Sequence, residues 1–303
     1  MSAVVDVQKL RKTYGELVAV DGISFSVEEG EIFGLVGPNG AGKTTTWEIL
    51  EGLRSMDGGS VRVAGLDVRK DRARLREVIG VQLQATAMFE KLTVRETLDV
   101  FAGMYKKSVP TEDLLGMVHL EEKAEDWTER LSGGQKQRLA VALSLVNDPT
   151  IVFLDEPTTG LDPQARRSLW DVISDLRKTG KTVMLTTHYM EEAERLCDRV
   201  GVMDHGHILA MDPPAQLVRQ LGQRDAIEFA ANGDADAFRG LVGVEDLKVE
   251  DGLVVLYTRQ IDRTLPAVFD LARQRGMAID GFRVRNPSLE DVFLQLTGRR
   301  IRE

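Results

Sequence analysis

An α/β architecture followed by a smaller α+β domain is predicted by three features of the sequence. Short, mostly apolar runs at residues 31–36, 151–154 and 182–186 read as buried strands. Amphipathic helical stretches alternate with them; the clearest sets Leu169, Val172, Ile173 and Leu176 on one face of a 3.6-residue period. Near Pro213-Pro214 the pattern changes, and a tail of short strands and helices begins.

In chain order, the run 31–36 leads through a Gly-rich turn into a helix at about 43–53. Residues 93–147 carry few strand signals and read as helical, which defines a helical subdomain (about 86–148) inserted between sheet strands. The strand 151–154 is expected beside the strand 31–36, and 182–186 forms a third. A short helix at 215–221 closes a first domain, residues 1–221. In the second, 222–303, strands at 226–230, 244–250, 253–258 and 278–284 and helices at 235–241, 264–275 and 288–296 follow in the order βαββαβ plus a helix, with Asp251-Gly252 as a hairpin turn. That order is the ferredoxin-like arrangement.

The 303 residues carry 39 Lys plus Arg against 48 Asp plus Glu, a net charge of −9. This balance is that of a folded chain rather than a disordered one and argues against general nucleic-acid binding. Cys197 is the single cysteine, so no disulfide framework or multi-cysteine zinc site is expected, and a reducing compartment fits. The longest apolar stretch, 139–146, includes Ser144 and is far shorter than the roughly 20 residues a membrane-spanning helix needs. The first six residues lack a basic region followed by an apolar one, so no secretory leader is expected. From Ala215 onward 13 basic residues nearly balance 14 acidic ones, which leaves the excess acidity in the first domain. No internal repeat is visible.

Gly37-Pro38-Asn39-Gly40-Ala41-Gly42-Lys43-Thr44 fits the phosphate-loop pattern G-x-x-x-x-G-K-[ST], between a strand and a helix as that motif requires. Its glycines let backbone N–H groups turn inward on phosphate oxygens, and the helix N-terminus adds partial positive charge. Lys43 is placed to reach the β- and γ-phosphates of ATP, and the Thr44 hydroxyl to ligate Mg²⁺, with Thr45 beside it. Asp155 and Glu156 end the strand 151–154, where ligands bind in open α/β sheets. Asp155 is the candidate Mg²⁺ ligand through water, and Glu156 the candidate base for the attacking water.

A second anion site follows from Leu131-Ser132-Gly133-Gly134-Gln135. Ser132 is a good N-cap, and the two glycines leave first-turn N–H groups open. One nucleotide does not need two such cradles in one protomer, so the second is expected to face a nucleotide held by another copy. Leu-Ser-Gly-Gly-Gln also resembles the signature of ATP-binding cassette (ABC) ATPases, a P-loop NTPase family, and the resemblance spans the chain. It implies that Gln84 is the Q-loop glutamine, contacting metal and water, that Asp162 in Gly160-Leu161-Asp162 belongs to the D-loop, that His188 is the switch histidine at the γ-phosphate, and that Tyr14 stacks on adenine. Thr187-His188-Tyr189-Met190-Glu191-Glu192-Ala193-Glu194 and Asn286-Pro287-Ser288-Leu289-Glu290-Asp291-Val292-Phe293 are similar to segments of the drug-resistance exporter subfamily, the daunorubicin-resistance ATP-binding proteins. That similarity implies a head-to-tail homodimer bound to a separate membrane permease at the cytoplasmic face, exporting a drug, antibiotic or lipid-like substrate.

A soluble ABC ATPase acting on ribosomes or DNA is the alternative. Translation-type members carry two cassettes per chain, and this chain has one. DNA-repair members insert long coiled coils or zinc modules between phosphate loop and signature, here only about 90 residues apart. A P-loop small-molecule kinase leaves the signature helix unexplained. His205-Gly206-His207 reads as a hairpin turn rather than a metal site, Cys197 as a packing residue, 69–76 as a solvated helix face, and the Met, Phe and Tyr residues of 88–105 as subdomain core, a few of them candidates for a groove that receives a permease helix.

Overall fold

The computed structural model describes residues 3–83, 88–220, 224–231, 235–250 and 253–298. The chain divides into two compact units, Met1–Pro213 and Pro214–Glu303.

The first unit runs β1 (Ala3–Tyr14), β2 (Leu17–Glu28), β3 (Ile32–Val36), α1 (Lys43–Leu50), β4 (Gly58–Val63), β5 (Leu66–Asp67), α2 (Arg72–Val78), β6 (Ile79–Gln82), α3 (Val94–Ala102), α4 (Thr111–Met117), α5 (Gly133–Leu145), β7 (Ile151–Asp155), α6 (Pro163–Lys178), β8 (Thr182–Thr187), α7 (Met190–Leu196), β9 (Arg199–Asp204) and β10 (His207–Asp212). Its main sheet has the order β10-β9-β3-β8-β7-β6. All neighbours in it are parallel except the hairpin β9–β10, which turns at His205-Gly206 as expected. Every residue of β3, β7 and β8 is buried, the pattern of a sheet covered on both faces.

The strand order corrects one expectation. β7 does not lie beside β3; β8 separates them, with Met184 opposite Phe33 on one side and Phe153 on the other. Apolar content marks a strand as buried but carries no information about its neighbours.

A second, antiparallel sheet of order β2-β1-β4-β5 shares a core with the first. Phe25 of β2 stacks on Phe33 of β3 at 5.2 Å, and Trp47 of α1 meets Phe153 of β7 edge-on at 6.2 Å. α1 therefore starts from the central strand and is gripped by apolar contacts, which fixes the loop before it. It ends at Leu50, earlier than expected. Between β6 and β7 the chain forms α3, α4 and α5; α3 and α5 both open on reciprocal capping boxes, Thr93 with Glu96 and Ser132 with Gln135.

The second unit comprises α8 (Pro214–Gln220), β11 (Asp225–Ala231), β12 (Val244–Glu250), β13 (Leu253–Thr258), α9 (Ile261–Arg275), β14 (Ile279–Arg285) and α10 (Leu289–Thr297). Its antiparallel sheet has the ferredoxin-like order β12-β13-β11-β14. The expected helix at 235–241 is a 3-10 segment, Ala235–Gly240. Alternation splits the strands: Ile227, Phe229, Val254 and Leu256 pack on Phe238 and Val268, whereas Ala226, Val255 and Tyr257 pack on Leu294. Buried Asp291 accepts from the Tyr257 hydroxyl at 2.7 Å and pairs with Arg285, which also holds Glu228 at 3.0 Å. α8 packs on α10, and the unit accordingly begins at Pro214, ahead of residue 222.

Candidate active site

The loop 37–42 is shaped by close backbone approach. A Cβ on Gly42, whose φ is 104°, would stand 2.3 Å from the Ala19 carbonyl, and one on Gly37 would stand 2.1 Å from that of Met203. The Gly206 N–H donates to the Ala41 carbonyl at 2.9 Å, so the β9–β10 turn props the loop from behind. Asn39, Gly40 and Thr44 are exposed, Pro38 and Thr45 half-buried. Lys43 is only 4% exposed; its Nζ donates to the carbonyls of Gly37 (2.8 Å) and Pro38 (3.1 Å) and lies 3.6 Å from Glu156 Oε1. Burial pulls its pKa down, and the Glu156 and Asp155 carboxylates push it back up.

Asp155 and Glu156 are both buried at the end of β7, and Thr186 of β8 holds them. Its hydroxyl donates to Asp155 Oδ1 while accepting from the Glu156 N–H at 2.9 Å. Glu156 has a left-handed φ of 45°, a conformation that costs a non-glycine residue about 1 kcal/mol or more. That turn sets the carboxylate between two partners, the Lys43 ammonium on Oε1 and the His188 ring, whose Nδ1 lies 3.2 Å from Oε2, with the Thr159 hydroxyl donating to Oε2 at 3.3 Å. His188 is the main cause holding the Glu156 carboxyl below its usual range, against burial; Lys43 adds to it. Burial raises Asp155, Thr186 opposing.

The His188 ring lies 4.1 Å from that of Tyr189, which stacks in turn on the Arg166 guanidinium of α6 at 4.1 Å. The Tyr14 ring is flanked by Lys12 and Arg54, each 5.4 Å from its centre, and Arg54 pairs with Glu48 of α1, so the exposed aromatic is tied to the helix that follows the phosphate loop. Ser132 Oγ accepts from the Gln135 N–H at 3.3 Å and the Gln135 side chain returns to the Ser132 N–H at 2.8 Å. The Gln135 carboxamide oxygen is thus committed to its own helix, while exposed Ser132 and Gly133 open α5 to an outside acceptor. A Cβ on Gly134 would stand 2.7 Å from that of Ala165. This contact brings the starts of α5 and α6 together, and Asp162 caps α6 by accepting from Gln164 and Ala165, both at 2.9 Å. Gln84 lies outside the described residues.

Sequence reading missed Thr186, Thr159, Tyr189 and Arg166. It also missed Glu51, which is 5% exposed and whose carboxyl burial and the nearby Asp155 push up to about 8. Glu51 borders a separate groove of about 680 Å³ formed with Val81, Leu83, Phe101, Met104 and Leu143.

As donors, Thr44 and Asp155 offer only oxygen, the chemistry a hard divalent cation takes. Among the described residues no cluster of three or more His, Cys, Asp or Glu forms a metal cage. Such a cation would complete its shell with phosphate and water oxygens, and the residues fit that mode.

A glycine loop wedged between Ala19 and Met203 and emptying into α1, with two carboxylates at the same edge of a parallel sheet, places the chain among the P-loop NTPases. Comparison with known proteins refines this. The ABC transporter family model matches residues 20–159, and that of the C-terminal domain of DrrA1-3-like ATP-binding proteins matches 214–297. The Nod factor export ATP-binding protein I of Ralstonia nicotianae is 42% identical over 310 residues, 99% of this chain and 95% of that protein. The linearmycin resistance ATP-binding protein LnrL of Bacillus subtilis is 35% identical over 99% of this chain and its own full length. A dimeric structure of a post-hydrolysis state of the ATP-binding cassette MJ0796 bound to ADP and Pi superposes with a TM-score of 0.62 at 27% identity, covering 69% of this chain and 98% of that one. The chain belongs to the ABC transporter ATP-binding proteins: it is a nucleotide-binding ATPase subunit of the exporter type. Among the described residues no helix is long and apolar enough to cross a membrane.

Proposed function

We propose that two copies of this chain close head to tail around two Mg·ATP molecules and so drive a separate membrane permease from the cytoplasmic face. The observation that carries this reading is the Glu156 carboxylate, held ionised between Lys43 and His188 at the mouth of the phosphate loop. In it, Lys43 leaves the Gly37 and Pro38 carbonyls for the β- and γ-phosphates, and Tyr14 stacks on the adenine. Ser132, Gly133 and Gly134 of the second copy face the γ-phosphate, next to Asp162. Glu156 orients the attacking water and takes its proton as the bond from the γ-phosphorus to the bridging oxygen breaks; His188 fixes the carboxylate and senses the γ-phosphate. Thr44, Asp155 and Gln84 hold Mg²⁺, which when bound neutralises charge on the phosphate oxygens.

The apolar groove beside Glu51 takes a cytosolic helix of the permease. The relatives' names, Nod factor export and linearmycin resistance, support export of an antibiotic-like or lipid-like compound. Net charge −9 supports a partner other than nucleic acid. Phosphate release tests the chemistry: Glu156→Gln is expected to bind ATP normally and to lose hydrolysis by about 100-fold or more. Wild-type turnover in that variant would overturn the assignment.

A further inference from the structure

Glu51 has no role in the chemistry above, yet it is among the more unusual residues of the first unit. It caps the C-terminus of α1 and is 5% exposed, and among the described residues its carboxyl makes no hydrogen bond or ion pair. A carboxyl group largely withdrawn from water is costly to ionise without a partner, and a folded protein normally pairs or neutralises it. The group is not sealed in the core: it lines the groove, whose remaining surface is mostly apolar. Across that wall stand Leu83 at the end of β6, Phe101 and Met104 at the end of α3, and Leu143 of α5. Leu83 and Met104 are exposed at 45% and 65%. Arg76 and Glu77, one basic and one acidic, line the exposed rim, so Glu51 is the acid on the inner wall of the groove.

From this arrangement we propose that Glu51 is the specificity residue of the groove, receiving a Lys or Arg side chain from the permease helix that docks there. An apolar side chain of that helix fills the groove between Phe101 and Leu143, and the basic one reaches its floor. The dimensions agree, since about 680 Å³ accommodates a few side chains of one helical turn rather than a whole helix. With a cation against it the carboxylate gains the partner that the chain itself withholds; without one, burial and the Asp155 charge favour the neutral acid. A partner presenting an acid at that position is rejected, because two buried carboxyl groups would then share one pocket.

The inference rests on the permease-docking reading of the groove, and one experiment separates the two. A photo-crosslinking amino acid is placed at exposed Met104 in the full chain, expressed in its own cells, and the crosslinked peptide is sequenced by mass spectrometry. The expected product is a cytosolic segment of a multi-span membrane protein with a Lys or Arg one helical turn or less from the crosslinked residue. Glu51→Gln should cut crosslink yield at least about tenfold. Glu51→Lys should abolish it, and reversing the partner's basic residue to Glu should restore it. Binding of a fluorescent ATP analogue, unchanged in Glu51→Gln, shows that the variant is folded. A membrane-protein crosslink that survives Glu51→Gln, or that lacks a basic residue in the segment, overturns the role of Glu51 and leaves the docking reading standing. Failure to crosslink any membrane protein overturns both.

Discussion

Glu156 shows how one residue's surroundings set its chemistry. Its left-handed backbone aims the carboxylate at Lys43 and His188, and those partners, not burial, decide its charge. Replacing His188 by Ala removes the larger of the two influences. The Glu156 pKa should then move up, and the acid limb of the hydrolysis pH profile should move to higher pH with it. An acid limb unmoved in His188→Ala would show that His188 does not tune this base. Glu51 is the opposite case. Its ordinary value of 4.5 is pushed up to about 8 by burial first and by Asp155 second, so the folded chain keeps a proton that the unfolded chain has shed. Stability contributed by this group is therefore complete below pH 4.5 and falls as pH rises toward 8. Glu51→Gln cannot lose that proton, and its melting temperature should exceed that of the wild type by about 3 °C or more at pH 8 and match it near pH 5. Equal differences at both pH values would contradict the assignment.

At the scale of elements, close approach explains residues that carry no chemistry. A Cβ on Gly80 of β6 would stand 1.8 Å from the Ser144 carbonyl of α5, so Gly80→Ala must push the subdomain helix off the sheet edge. A loss of about 3 kcal/mol or more in urea unfolding is expected, at the severe end for a single methyl. Gly34 similarly makes room for Cys197, where a Cβ would stand 2.6 Å from Sγ. Cys197 is buried and its thiol is pushed up by burial, so it should ignore Ellman's reagent in the native protein and react on unfolding; fast native labelling would contradict the packing. What the sequence made legible also divides at this scale. Features set by local spacing were readable: the phosphate loop, the Ser132 cap, the acids ending an apolar run, the βαββαβ tail. Features set by pairing were not. Thr186 reaches Asp155 because β8 lies against β7, an adjacency that no spacing within either strand encodes. β1 and β2 escaped notice because register shifts between Val7 and Leu10 break the alternation that marks a half-buried strand. Glu51 reads as an ordinary helix-end acid until packing buries it.

For the whole molecule, the chain divides into two compact units, and each accounts for one family match. Among its described residues the second unit holds no group resembling the phosphate machinery, and we propose that it helps to keep two copies together. A chain ending at Pro213 should therefore dimerise more weakly with ATP while keeping nucleotide binding; unchanged dimerisation and transport would remove that role. The central claim is that each ATP is held between the Lys43 loop of one copy and the Ser132 helix of the other. Light scattering of the Glu156→Gln protein at saturating Mg·ATP tests it most directly. The account predicts a shift from the 33.6 kDa protomer to twice that mass, abolished by adding Ser132→Arg. A protein that stays at the protomer mass with ATP bound, or that dimerises equally well with Ser132→Arg, would contradict it.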